Sequence, residues 1–468
     1  MIGSVRKRPH VIVAGGGVAA LECMLALRAL AGHVLELTLL TREPDFLYQP
    51  VTVAEAFGRG EARRYSISSL IEDSHATGIL LDMLSEVSPD DRTVTTGRGE
   101  QLSFDALVVA TGAVQRSPLP GALMFGGQRD VPALATILDD LVAGRAASIG
   151  FALTSAHSWP LPLYELALMT ASHLRARGAS GVAIQLVTPE VHPLQLFGVE
   201  VADMVGPLLA ARGIQLRAGT ESVSHDASGL MLASGDRIPV DRVVTLPVLD
   251  GRPIGGLPHD ARGFLPVDDH GRVDGLIDIY AAGDVTAFPV KQGGLAAQQA
   301  DAVAEMIAAE AGTGLRPRPF TPVLRGLLLT GGAPLYLRSE LRAERQTAVA
   351  GRRYRGPAAA AGQPLWWPPA KIAGRYLAAH LATARPKPTR PDALEDRSPI
   401  PGASISEAER NDVVELAVTL AECDARCGDY ASALAALDTA LVLNGTLPPE
   451  LEAKRREWTA ATRSGVRG

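Results

Sequence analysis

Gly15, Gly17 and Ala20 stand at the spacing Gly-x-Gly-x-x-Ala, directly after the apolar run His10–Ala14 and at the head of the apolar stretch Leu21–Leu30. That arrangement has a chemical use. The first glycine allows a tight strand-to-helix turn, the second lets the backbone approach a pyrophosphate, and a small third residue lets the helix pack closely on the sheet. The following helix then offers free N–H groups and a positive dipole end to phosphate. The reading is a dinucleotide site; the plainer alternative is a tight turn. An acidic residue is expected about 20 residues further on to bind a ribose. Thr41 and Arg42 hold that place, with Glu43 just beyond. Either Glu43 turns in, or Thr41 and Arg42 make the contact.

The elements that must position these residues follow from the apolar pattern. His10–Ala14 and Glu36–Leu40 are short buried strands, and the helical stretch between them completes a β-α-β unit. Its crossover makes the strands parallel. A strand over 104–112 ends at Thr111-Gly112, and one over 277–281 leads to Gly283-Asp284. A helix over about 294–311 begins just after Lys291-Gln292-Gly293. Between these lies a second α/β unit, with strands at 147–151, 182–187, 214–216 and 242–246 and a helix over 162–177. Residues 315–400 are rich in Pro and Arg, with a linker near 385–401, and from Ser404 the pattern is helical and charged.

The Ala110-Thr111-Gly112 and Gly283-Asp284 segments, following Gly15-x-Gly17-x-x-Ala20 in order, resemble the motifs of flavoproteins with two dinucleotide-binding domains. This is the pyridine nucleotide–disulfide oxidoreductase superfamily, and the resemblance covers roughly residues 8–330. It implies an α/β fold with tandem Rossmann-like FAD- and NAD(P)-type domains. Residues 1–145 and 250–330 would form the FAD domain and 146–249 the NAD(P)-type domain. Residues 331–400 would form an interface segment and 401–468 a small helical module. The resemblance makes FAD the dinucleotide and places Asp284 at its ribityl–pyrophosphate region. Arg42 alone would hint at a 2′-phosphate, which FAD lacks, so an adenosine-edge or surface arginine stays open. The helix start at Gln292-Gly293 would face the flavin pyrimidine ring, where the dipole favours negative charge. Lys291, one of five lysines in the chain, would stabilise the reduced flavin or polarise a quinone oxygen; a surface lysine is the alternative. It is the one catalytic candidate.

Phe46-Leu47-Tyr48-Gln49-Pro50 and the layout look most like the type II NADH dehydrogenase and sulfide:quinone oxidoreductase branch. The three cysteines decide against its cysteine-dependent relatives. Cys23 is alone on an apolar helix face, and Cys423 and Cys427 lie far off in the terminal helices, so a redox pair or a sulfur-holding set is not expected. In the second unit the glycine motif is missing. The chain reads Ala152 to Glu165 with Trp159, Pro160 and Pro162 on that ground, and Pro has no N–H to offer phosphate; Glu165 keeps the place of the helix glutamate that the resemblance implies. NAD(P) binding is left open. Glu190 could meet an adenosine ribose, His157 and Trp159 could line a pocket for another reductant, or the fold could persist without its site.

Trp366 and Trp367, flanked by Lys371 and Arg375, suit a membrane interface, a domain seam or a hydrophobic entrance. Residues 427–441 look like one tetratricopeptide-type hairpin, which needs a neighbour to bury its face. That neighbour would be the body, a second subunit or a protein partner. Hydrophobic residues are 47% and charged residues 21%, ordinary globular values, and the net charge of −6 argues against a nucleic-acid partner. No signal peptide, membrane span or metal site is expected, which points to a cytoplasmic protein, peripheral to the membrane at most. The reading is an FAD-dependent oxidoreductase that passes electrons from a small donor, NAD(P)H among the candidates, to an acceptor such as a quinone. Its rival is a flavin-bearing interaction or regulatory protein with little turnover.

Overall fold

The computed structural model describes residues 8–71, 77–155, 159–179, 181–341, 358–362, 364–366, 368–384, 386–387, 434, 437 and 447–464. The principal elements in chain order are β1 (His10–Ala14), α1 (Val18–Ala31), β2 (Glu36–Thr41), β3 (Thr77–Leu81), β4 (Ala106–Val109), β5 (Leu123–Met124), β6 (Ser148–Ala152), α2 (Leu161–Ala176), β7 (Ala183–Val187), α3 (Val199–Ala211), β8 (Ile214–Arg217) and β9 (Arg242–Thr245). They continue with β10 (Ile279–Ala281), α4 (Gly293–Glu310), β11 (Val323–Leu328), β12 (Leu335–Glu340), β13 (Ala358–Ala361), α5 (Leu377–Thr383) and α6 (Pro449–Ser464). The chain forms two compact units, Met1–Thr389 and Arg390–Gly468.

A five-stranded sheet in the order β10–β4–β1–β2–β3 carries parallel pairing throughout. β1 and β4 are apolar almost end to end, as strands covered on both faces must be. α1 and α4 pack together on one face. Their contact is built from small residues, Ala19 and Ala20 on one side and Ala296, Ala300 and Ala304 on the other. Small side chains bring the two helix starts close to the strand ends of this sheet.

A second five-stranded parallel sheet runs β5–β9–β6–β7–β8. Pro162 sits in the first turn of α2, where a missing N–H costs no helical bond. The strands and helices expected over residues 8–311 all form, within a few residues of their expected ends.

The segment 331–400 needs correction. It is not simply an interface segment, because β12 and β13 join β11 in an antiparallel sheet. The period-two burial of β11, with Leu324, Gly326 and Leu328 inward, is the signal that the Pro- and Arg-rich composition obscured. Trp366 is no membrane anchor either. Its Nε1 donates to Ala370 O at 3.0 Å and its ring stands edge-on to Tyr336, 5.2 Å between centroids. Trp367 lies outside the described residues. Among the described residues no helix is long and apolar enough to cross a membrane.

The stretch 368–384 is strapped onto the first sheet's helices. Ile372 N donates to Tyr48 Oη at 3.1 Å. The buried Glu22 carboxylate of α1 accepts from Tyr376 N at 2.7 Å and Leu377 N at 2.8 Å, which caps α5. Burial raises the carboxyls of both Glu22 and its neighbour Asp301. In the second unit α6 is described; the hairpin at 427–441, apart from Leu434 and Leu437, and Cys423 and Cys427 lie outside the described residues.

Glu22→Ala leaves one buried and one half-buried N–H group without their acceptor. It is expected to cost about 1–3 kcal/mol and to expose the 368–384 strap to protease. Urea denaturation and limited proteolysis check both; a variant unchanged in each would refute the capping role.

Candidate active site

The turn between β1 and α1 is held by its own backbone. Gly15 has φ of +144° and a Cβ there would overlap Ala110 O, while its N–H donates to Leu40 O at 2.8 Å. Gly17 is the N-cap of α1, and nothing lies within 4 Å of where its Cβ would stand. No side chain caps this helix and its first turn carries no acid. The first N–H groups therefore point outward unspent, which suits an anion. Ala20 is fully buried beneath the turn. Thr41 is buried against Gly16 and donates from Oγ1 to Glu43 O at 3.2 Å, whereas Arg42 and Glu43 are exposed at the end of β2.

The neighbouring strand ends deliver the rest. Gly112 follows β4 beside exposed Thr111. Gly283 follows β10; its N–H donates to Gln299 Oε1 at 2.8 Å, and its carbonyl accepts from Thr286 Oγ1 at 2.9 Å. Asp284 sits in this braced loop. Burial raises its carboxyl, and the charge of Lys291 opposes the rise. A carboxylate held in that condition is relieved by hydroxyl donors. An uncapped glycine turn and a buried carboxylate at adjoining strand ends fit the pyrophosphate and polyol of FAD.

Next to this loop lies a cavity of about 290 Å³, walled by Lys291, Gln292 and Gly293 at the head of α4, by Glu165 of α2, by Arg325 of β11 and by Lys371 of the strap. Gln292 is the N-cap of α4: its Oε1 accepts from Leu295 N at 2.8 Å and its Nε2 donates to Arg325 O at 3.1 Å. Lys291 Nζ donates to Asp284 O at 3.1 Å and to Thr286 O, and lies 3.7 Å over the Phe264 ring. Burial pushes its pKa down to about 8. It is a held, half-buried cation rather than a free surface lysine.

The structure adds a pair that the sequence did not reveal. Lys371 Nζ lies 2.6 Å from both carboxylate oxygens of Glu165, and Leu329 N donates to Glu165 Oε1 at 2.9 Å. Their side chains are 8% and 1% exposed. Burial raises the Glu165 carboxyl against the lowering pull of Lys371. The partners are 206 residues apart, and the sequence marked Lys371 only as a basic flank to two tryptophans. Arg325 faces Arg338 across the β-ladder, and its buried Nε has no hydrogen-bond partner among the described residues.

The second α/β unit opens on the same cavity through Ser155, Trp159, Leu161 and Pro162 at the head of α2 and Leu246 after β9. Glu190 does not reach out to a ribose. It is 2% exposed, and its carboxylate accepts from Tyr164 Oη at 2.7 Å, Thr188 Oγ1 at 3.1 Å and Gln195 N at 3.2 Å. Trp159 packs on Phe197 with 5.8 Å between centroids and also lines the cavity, as one of the sequence alternatives had it; His157 lies outside the described residues. The hydrogen bonds of the Glu190 carboxylate are thus met within the protein. Cys23 is a buried core thiol, its pKa raised by burial.

Asp284→Ala is expected to weaken FAD retention by roughly 10- to 100-fold, the worth of a hydrogen bond to a charged group. The ratio of flavin to protein absorbance after gel filtration reads it; full retention would refute the assignment of Asp284 to the cofactor.

A curated NADH dehydrogenase-like protein of Mycobacterium tuberculosis is 28% identical over 299 residues, 59% of this chain and 73% of that protein. A sulfide-quinone reductase of Aquifex aeolicus is 28% identical over 204 residues, 41% of this chain and 45% of that protein. The ferredoxin reductase component of a chlorobenzene dioxygenase of Cupriavidus is 26% identical over 319 residues, 61% of this chain and 69% of that protein. The X-ray structure of the Aquifex aeolicus sulfide:quinone oxidoreductase shares the fold, with a TM-score of 0.65 at 20% identity over 76% of this chain and 87% of that one. The family profile described as pyridine nucleotide-disulphide oxidoreductase matches residues 9–305. With that match over more than half of its length, and with the glycine turn, the Gly283-Asp284 loop and the paired parallel sheets in place, the chain belongs to the pyridine nucleotide-disulphide oxidoreductase family.

Proposed function

We propose that this FAD-dependent oxidoreductase exchanges electrons with a small partner bound in the 290 Å³ cavity, and that a quinone is the acceptor class. The observation that carries the reading is the buried Glu165–Lys371 pair in the cavity wall. Bound FAD supplies the redox chemistry. The turn at Gly15, Gly17 and Ala20 takes its pyrophosphate, with Thr41 and Arg42 on the adenosine side. Thr111, Gly112, Gly283 and Asp284 hold the ribityl–pyrophosphate region. The backbone of Gln292 and Gly293 presents the positive end of α4 to the ring.

The chain's own groups then handle charge and protons. Lys291 is held on the carbonyls of Asp284 and Thr286, where its charge favours electron-rich states of whatever occupies the cavity. Reducing a quinone to a hydroquinone consumes two protons with two electrons. Lys371 can give a proton to an oxygen that is gaining negative charge, and Glu165, 2.6 Å away, can hold the replacement. The raised Glu165 carboxyl suits that exchange. The relatives named for quinone and ferredoxin partners support a small-molecule or protein acceptor. Peripheral membrane contact and pairing through the helical module rest on sequence pattern alone.

Two measurements test the reading. Photoreduced protein mixed anaerobically with a short-chain quinone is expected to reoxidise rapidly. Lys371→Met and Glu165→Gln are expected to slow that step at least about tenfold with FAD retained; unchanged rates would sink the proton role. For Lys291 the sign follows from its lowered pKa of about 8. Its charge is present below that value and fades above it. The flavin midpoint potential is therefore expected to fall more steeply above about pH 8 in the wild type than in Lys291→Arg, which stays charged. Parallel slopes in a dye-equilibrium titration would remove Lys291 from the site.

A further inference from the structure

We infer that the second α/β unit is not a nicotinamide dinucleotide site and that Glu190 is a core lock of that unit.

A dinucleotide needs two things from a β-α-β crossover: free N–H groups at the helix head for its pyrophosphate, and an acceptor after the next strand for a ribose. Among its described residues the crossover β6–α2–β7 supplies neither in free form. Pro160 and Pro162 have no N–H, and Leu163 N donates to Pro160 O at 3.0 Å. Leu161, Leu163 and Tyr164 turn their side chains into the core. The first turn of α2 is thus packed into the core on one side, while Trp159, Leu161 and Pro162 form cavity wall on the other.

Glu190 stands where the ribose acceptor belongs, three residues after β7, but both its oxygens are engaged. Tyr164 Oη and Thr188 Oγ1 donate to one, and Gln195 N to the other. Tyr164 Oη in turn accepts from Leu194 N at 3.4 Å. This network fixes the following turn, where Leu194 adopts φ of +52°. A leucine rarely takes that conformation without support from its surroundings. The same turn drives Phe197 inward, fully buried between Trp159 and β11. Its Cζ lies 2.7 Å from where a Cβ on Gly326 would stand, so only glycine fits there. To admit a ribose, Glu190 would have to give up Tyr164, and the turn carrying Phe197 would have to unfold. The residues are spent on one another.

Isothermal titration of the full chain with NAD⁺, NADP⁺ and ADP-ribose tests this without any need for flavin. No saturable heat is expected for dissociation constants below about 1 mM. Saturable binding in the micromolar range would overturn the inference. A second measurement uses protein loaded with FAD and shown to bleach with dithionite. NADH or NADPH is expected to reduce it at least about a thousandfold more slowly than the family's reaction would require at typical turnover. Bleaching by either nucleotide within seconds would also overturn the inference. A protein that holds no FAD would defeat the flavin reading instead, and the nucleotide titration would still decide this one. Glu190→Ala is expected to lower the melting temperature while Glu190→Gln, which can still accept from Tyr164, changes it less; equal stability in both would remove the lock.

Discussion

The buried contact between Lys371 and Glu165 is the constraint on which the site depends. Two ionised groups leave water at a cost of several kcal/mol each, and the cost is offset here by a 2.6 Å contact to both carboxylate oxygens and by the Leu329 N–H. Those three groups come from α2, from the end of β11 and from the strap. The pair therefore joins the second sheet's main helix, the antiparallel sheet and the C-terminal stretch of the first unit at one point on the cavity wall. Removing either partner would leave a buried charge, so each segment is held in place by the need of the others.

The two parallel sheets show how the same topology can present different groups at its strand ends. In the first, Gly15 and Gly17 leave the helix head bare, with no side-chain cap and no acid in the first turn. In the second, Pro160, Pro162 and buried Leu161 and Leu163 fill the equivalent ground. The backbone plan β-α-β is shared. What differs is whether side chains or an outside ligand satisfy the polar groups at the strand ends. Glu190 is the clearest case, an acid in the expected register whose hydrogen bonds are met internally.

Local features were legible in the sequence for this reason. The turn at Gly15–Ala20 and the strands His10–Ala14, 148–152 and 183–187 depend on neighbours within a few residues, so apolar runs and glycines announce them. Glu22 was not legible as the cap of α5, because its partners are 354 and 355 residues away. Lys371 read as a basic flank to two tryptophans for the same reason. β11 to β13 were hidden by composition, since Arg and Gly in a strand of period two dilute its apolar signal. Glu190 was placed correctly by register and misread in direction, because one sequence cannot tell an outward acid from one that Tyr164 has claimed.

The cavity's charge completes the account. Lys371 is balanced by Glu165, but Lys291 rests on backbone carbonyls and Arg325 faces another arginine across the ladder. Burial works against both cations, lowering the pKa of each. In a wall of low polarizability a charge acts more strongly than in water. Asp284 and Asp260 offset part of the Lys291 charge and Asp301 part of the Arg325 charge, while the helix dipole adds positive potential at the head of α4. That potential favours a state with added electrons over one without. The protein spends stability to hold Lys291 and Arg325 half-buried, and a bound group that gains negative charge on reduction is what would repay them electrostatically.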